Sequence, residues 1–232
     1  LLAWPDHGEK LFDELQMGKN IQPGYRTLFY GPSGTGKTLT AALLGKKVNK
    51  PVYRIDLSQL VSKYVGETEK NLEKIFNAAE NRDWILFFDE ADALFGKRTG
   101  INSSNDRFAN QETAYLLQRI EVCDNMVLLA TNLKTNIDEA FTRRFQSIVH
   151  FPVPTEAERY RLWWGALSER MALDEAIDLK EIAQKYDLTG GSIVNVVRYA
   201  TLMAVANETD RIQYGDLMDG IRREYMKLGR TL

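Results

Sequence analysis

The sequence predicts an α/β fold: a parallel five-stranded sheet with helices on both faces, followed by an all-helical lobe. Three observations carry this expectation. Five short runs of aliphatic and aromatic residues occur before residue 152, with helical patterns between them. A glycine-rich stretch, GPSGTGKT at residues 31–38, lies between the first run and the first helical pattern. After Pro152 and Pro154 the strand-like runs stop and helical patterns alone remain. Connections that contain a helix are long enough to cross over a sheet, so successive strands run parallel.

Taken in order, residues 27–30, 52–57, 84–88, 127–130 and 148–151 are the expected strands, each a short apolar run suited to burial. Helices are expected at 37–48, 67–81 and 110–122. The stretch TGINSSND, 99–106, is rich in Ser, Asn and Gly and reads as a surface loop. The two prolines mark a hinge, and beyond it helices are expected at 156–171, 179–185, 192–207 and 214–228. The domain division that follows is 1–152 for the α/β part and 153–232 for the helical lobe. No internal repeat or heptad run is present.

Composition restricts the function classes. Among 232 residues there is one cysteine, so no intramolecular disulfide can form and a reducing compartment, the cytoplasm, is the expected location. Lys and Arg number 30 against 32 Asp and Glu, a formal net charge of -2 that gives no bulk attraction to nucleic acid. The longest strongly apolar stretch, 84–88, is stopped at once by Asp89 and Glu90, far short of the roughly 18 residues a membrane span needs. No signal peptide is legible, and because the chain opens on Leu1 it is read as lacking its natural N-terminus.

Residues 31–38 fit G-x-x-x-x-G-K-[ST] at every fixed position. The glycines let the backbone fold so tightly that consecutive N–H groups face phosphate oxygens, and the helix starting near Lys37 adds the positive end of its dipole. Candidate nucleotide contacts are Ser33, Gly34, Thr35, Gly36, Lys37, Thr38 and Leu39. Lys37 would neutralise β/γ-phosphate charge and the Thr38 hydroxyl would ligate Mg²⁺. The alternative is a glycine-rich turn with an exposed lysine, which the strand before and the helix after the motif disfavour.

The run 84–88 ends in Asp89-Glu90. A parallel sheet gathers its strand ends on the edge where ligands bind, so Asp89 can hold the Mg²⁺ shell and Glu90 can polarise a water for attack on the γ-phosphorus. Without the phosphate loop the pair would read as a helix N-cap and a solvated acid. The run 127–130 ends on the same edge at Thr131-Asn132, where an amide can orient the attacking water without titrating. Arg143 and Arg144 close a segment, 137–145, that begins like a helix. They either answer that helix's dipole or supply an arginine finger to a neighbouring subunit's γ-phosphate, a charge that can be worth about 10³ or more in rate.

GPSGTGKT, LFFDEAD at 86–92, ATN at 130–132 and RRF at 143–145 thus stand in order, followed by a helical lobe. In that arrangement the chain resembles the AAA family of ATPases associated with diverse cellular activities over nearly its whole length. The resemblance implies a role for each matching residue: Lys37 and Thr38 as the Walker A lysine and threonine, Asp89 and Glu90 as the Walker B pair, and Asn132 as the first sensor. Arg144, immediately before Phe145, matches the arginine finger, with Arg143 beside it. Lys63-Tyr64-Val65-Gly66-Glu67 is similar to the family's first pore loop, which grips an unfolded polypeptide, so Tyr64, Val65 and Gly66 are expected to touch substrate. Residues 99–109 fall where the family has its second pore loop. The resemblance further implies a P-loop NTPase sheet of strand order 5-1-4-3-2 with a helical lid, ATP or ADP with Mg²⁺ as ligands, and self-association into a hexameric ring with ATP. Leu162 stands where a lid residue touches adenine, and Gly191 where the chain packs near the ribose.

The sequence also departs from the family pattern. Ser33 replaces a usual proline, and Glu121-Val122-Cys123 stands where many members carry an Asp-Gly-aromatic element that signals between subunits. Thr189-Gly190-Gly191-Ser192 carries no second-sensor arginine, so hydrolysis would depend more on the neighbour's arginine. Tyr64 lies between a strand and a helix, where a tyrosine is often a packing residue, but Gly66 and Glu67 favour an exposed turn. His7 and His150 have no partners at metal spacing, Cys123 reads as a packed thiol, and of Trp163 and Trp164 one is expected in the lobe's core. The function expected is a Mg-dependent ATP-hydrolysing motor that remodels or threads proteins. The alternatives are a nucleic-acid machine of clamp-loader or helicase type and a nucleotide-gated assembly scaffold. The aromatic turn and the lack of a basic run favour polypeptide over nucleic acid as partner.

Overall fold

Five strands, β1 (Tyr25–Tyr30), β2 (Val52–Asp56), β3 (Ile85–Asp89), β4 (Met126–Thr131) and β5 (Ser147–His150), pair in parallel as one sheet in the order β2-β3-β4-β1-β5. This is the expected order read from the opposite edge. The computed structural model describes residues 2–4, 7, 10, 24–60, 67–80, 82–92, 104–132, 142–168 and 170–231. Helices α1 (Lys37–Lys47), α2 (Leu57–Leu60), α3 (Glu67–Ala79) and α4 (Ser104–Val122) accompany the sheet.

Strands β3 and β4 are buried at every position, which is why their sequences are continuous apolar runs and not alternating ones. Successive side chains leave a strand on opposite faces. Leu86, Phe88, Val127 and Leu129 therefore meet Leu72 and Phe76 of α3 and Leu116 and Ile120 of α4. Ile85, Phe87, Leu128 and Ala130 meet Ala41 and Leu44 of α1 on the other face. Each of the Leu, Ile, Val and Phe side chains contributes roughly 1.5–3 kcal/mol on burial, so both faces of the sheet are strongly specified.

The chain divides into two compact units, Leu1–Gly31 with Lys37–Phe151, and Pro32–Gly36 with Pro152–Leu232. The second contains α5 (Glu156–Ala166), β6 (Ala172–Leu173), α6 (Leu179–Lys185), α7 (Gly190–Ala206), β7 (Arg211–Ile212) and α8 (Tyr214–Lys227). Its core joins Trp163, Ile182, Leu188, Ile193, Val196, Ala200, Leu217 and Ile221. Trp163 is fully buried, whereas Trp164 is 55% exposed. Thr155 and Glu158 form a reciprocal capping box at the start of α5, and Asp178 and Thr189 cap α6 and α7. No helix of the described residues is long and apolar enough to cross a membrane.

Several expectations are corrected. The second strand stops at Asp56, whose carboxylate accepts from the Ser58 N–H at 3.0 Å and its hydroxyl at 2.6 Å, turning the chain into α2 where a strand end was expected at Leu57. The loop expected at 99–106 is helical from Ser104, because Ser, Asn and Asp favour helix starts as much as loops. Helix α5 ends at Ala166, short of 171, where Leu167 turns extended and packs with Met171 and Leu173 on the second core. The lobe expected to be all-helical holds a two-stranded parallel sheet of β6 and β7. Helix α7 begins two residues before 192, at the residue after its cap Thr189.

Candidate functional site

Register fixes where the polar strand ends lie. Tyr30 is opposite Thr131 and Asp56 is opposite Asp89, so β1, β2, β3 and β4 present their C-terminal ends on one edge. From the end of β1 the chain enters the glycine-rich loop. Gly31 has φ +147°, and a Cβ there would lie 2.0 Å from the carbonyl oxygen of Phe151. No other residue fits.

Lys37 opens α1 and is buried. Its ammonium donates to the Gly31 carbonyl at 2.6 Å and to Asn132 Oδ1 at 2.8 Å. Burial holds its pKa below the ordinary lysine value, while Asp92 and Asp89 act in the opposite sense. The amine thus waits in a partly dehydrated place, where added negative charge is strongly attracted. Thr38, next along α1, donates its hydroxyl to Asp89 Oδ2 at 3.0 Å. Asp89 is buried, and its Oδ1 accepts the Glu90 N–H at 3.1 Å.

Glu90 is exposed and has φ +54°, a left-handed conformation uncommon for a residue with a side chain. After it, the Ala91 N–H donates to the Ala130 carbonyl at 2.9 Å. Asp92 accepts from the Asn132 N–H at 2.8 Å and from the Thr131 hydroxyl. The segment after β3 and the end of β4 are thereby tied together.

Two contributors escaped the sequence reading. Asp92 was visible as the last letter of LFFDEAD, although its partners Thr131 and Asn132 could not be inferred from spacing. Arg54, in the middle of β2, forms an ion pair with Asp89 Oδ2 at 2.8 Å. A charged residue inside an apolar run was its only signal.

Arg144 is half-buried, its Nε 2.9 Å from Glu121 Oε1, and Arg143 is exposed. Glu121 belongs to the last turn of α4, whose C-terminal carbonyls at Ile120 and Glu121 accept from the buried guanidinium of Arg26. Burial depresses the Arg26 pKa, against the pull of nearby acids, and burial also raises that of the Cys123 thiol. Leu39 is 64% exposed on α1.

Within the second unit, the Gly191 N–H donates to the Gly34 carbonyl at 2.9 Å. Gly34 has φ +76°, and a Cβ on it would meet Thr189 Oγ1 at 2.5 Å. A Cβ on Gly190 would lie 3.6 Å from Leu162. Gly34, Gly191 and Leu162 therefore belong to one small neighbourhood, with Ser33 exposed and the Thr35 hydroxyl bonded to the Pro32 carbonyl at 2.8 Å. Tyr64, Val65 and Gly66 lie outside the described residues, as do 99–103 of the expected second loop.

The donor set fits magnesium. The Thr38 hydroxyl and Asp89 carboxylate are hard oxygens, suited to an ion that takes one or two protein ligands and completes its shell with water and phosphate. Among the described residues no three His, Cys, Asp or Glu side chains gather into a metal-holding group.

The sequence model for the ATPase family associated with various cellular activities (AAA) matches residues 27–153. The proteasome-activating nucleotidase of Methanothermobacter thermautotrophicus is 30% identical over 220 residues, which cover 91% of this chain and 52% of the relative. That of Archaeoglobus fulgidus is 31% identical over 222 residues, 92% of this chain and 56% of the relative. The 26S proteasome regulatory subunit 10B homolog A of Arabidopsis thaliana is 28% identical over 220 residues, 90% of this chain and 54% of the relative. The chain therefore spans about half the length of these relatives.

Proposed function

The chain belongs to the ATPase family associated with various cellular activities, and from that premise we propose that it is the nucleotide-hydrolysing part of a motor that remodels or threads polypeptides. The observation that carries this reading is the convergence of Lys37 and Thr38, from the start of α1, on Asn132 and Asp89, from the ends of β4 and β3. Residues 1–152 bind and hydrolyse the nucleotide, and residues 153–232 form the lid.

In this mechanism Lys37 neutralises the β and γ phosphate oxygens of ATP, and the loop N–H groups of 33–38 hold the remaining charge. Thr38 and Asp89 would hold Mg²⁺, which would supply charge neutralisation for the transferring phosphoryl group. Glu90 accepts the proton of the attacking water, and Asn132 orients that water. Asp92 keeps Asn132 in place by holding its backbone. Arg144 or Arg143 completes the site of an adjacent subunit in a hexameric ring, while Leu162 and Gly191 contact the nucleoside. Leu39 closes the set of loop contacts.

The polypeptide substrate is supported by Tyr64-Val65-Gly66 and by the relatives named as proteasome-activating or proteasome regulatory proteins. The single cysteine agrees with action in the cytoplasm.

Calorimetric titration with ATP tests the reading. Lys37→Ala should abolish measurable binding with the fold intact, and Glu90→Gln should bind ATP yet fail to release phosphate. Unchanged ATP affinity in Lys37→Ala would remove the nucleotide site from this loop.

A further inference from the structure

Arg54 lies on β2, an edge strand of the sheet, with its guanidinium 2.8 Å from Asp89 Oδ2. The same oxygen accepts the Thr38 hydroxyl at 3.0 Å. Register places Arg54 opposite Phe87 and Asp56 opposite Asp89, so by strand alternation all four share one face of the sheet. Asp56 is engaged in capping α2 through Ser58. The Arg54 side chain is 56% exposed and that of Asp89 10%. The cation can therefore swing into water on its long stem, whereas the carboxylate has nowhere to go.

We propose that Arg54 is a counter-cation for Asp89 that gives way to the divalent metal, and that it thereby sets how much metal the nucleotide site requires. The proposal rests on the nucleotide-site reading above. A guanidinium on the Asp89 carboxylate repels a second cation and would have to be displaced before Asp89 could serve a metal's shell. With no nucleotide, the charge of Asp89 is already answered and a divalent ion gains little. Nucleotide phosphates add anionic oxygens and shift the exchange toward metal. The exchange is open to Arg54 because its side chain is more than half exposed, and ion pairs of exposed side chains typically contribute about 0.2–1 kcal/mol.

The residue acts through Asp89, so it is a positioning residue whose removal should be read in metal affinity. The probe is Mn²⁺ followed by electron paramagnetic resonance, titrated into the parent, Arg54→Gln and Arg54→Lys, each saturated with ADP. Arg54→Gln should lower the Mn²⁺ concentration for half-saturation by about fivefold, the factor that about 1 kcal/mol represents. Arg54→Lys, which keeps the charge, should stay within about twofold of the parent. ADP affinity in excess EDTA should be alike in all three. If Arg54→Gln proves unfolded by thermal melting, Arg54→Met, which keeps the apolar stem, takes its place. Unchanged or weaker Mn²⁺ binding in the neutral variant, with ADP binding intact, would overturn the exchange and leave the nucleotide site standing. A parent that binds neither ADP nor Mn²⁺ would overturn both.

Discussion

At the scale of single residues, Glu90 combines two demands that pull apart. Its φ of +54° places a side-chain-bearing residue in a region that costs an ordinary residue roughly 1–2 kcal/mol. Chemistry wants a carboxylate there and the backbone wants glycine. Glu90→Gly should therefore keep or raise the unfolding free energy, by up to about 1 kcal/mol, while Glu90→Val should lower it by more than about 1 kcal/mol. Urea unfolding of the two variants measures this, and a glycine variant clearly less stable than the parent would show that the conformation carries no strain. Lys37, Thr38, Asp89, Glu90 and Asn132 stood out in sequence as candidates because the chemistry expected of a phosphate loop links residue type to spacing, and the structure brings Lys37 to Asn132 and Thr38 to Asp89. Arg54 was not, since its partner stands on the next strand and only register brings them together. Glu121, noted for departing from a family pattern, became the partner of Arg144 only once the end of α4 was placed.

At the scale of elements, the strands were legible because burial on both faces writes a continuous apolar run, as in ILFFD of β3. Boundaries were harder where a polar side chain competes for the backbone. Asp56 ended β2 one residue early by capping through Ser58, and the Ser-Asn-Asp opening of α4 reads equally as loop. The short strands β6 and β7 carry two residues each, too few to leave a periodic trace. The first turn of helix α5 offers a test of capping at residues with no proposed role in the nucleotide site. Its cap Thr155 and Glu158 exchange hydrogen bonds on an exposed surface, and these bonds hold the Glu158 carboxyl below its ordinary pKa. Thr155→Ala should cost about 1 kcal/mol of stability, seen as a lower urea midpoint with unchanged ATP affinity. No change in the midpoint would mean that packing of Trp163 and the Arg159 bonds to the Pro154 and Ala183 carbonyls fix the start of that helix without the cap.

At the scale of the whole molecule, the proposed ring makes activity a property of association. Arg144→Ala should leave ATP binding intact and cut turnover, and Arg143→Ala beside it identifies which arginine acts. Because Arg144 pairs with Glu121 at a partly exposed site, its removal should change stability by less than about 1 kcal/mol. Specific activity of the parent should rise with protein concentration, whereas flat activity from a chain that stays monomeric with ATP would exclude a finger in trans. The division of the chain has a further bearing on how the protein can be dissected. Five residues, Pro32–Gly36, group with Pro152–Leu232, and the Gly34 carbonyl accepts the Gly191 N–H near the start of α7. A gene fragment beginning at Pro152 would be an incomplete copy of its own unit: it leaves that N–H to the solvent and gives up roughly 0.5–1.5 kcal/mol.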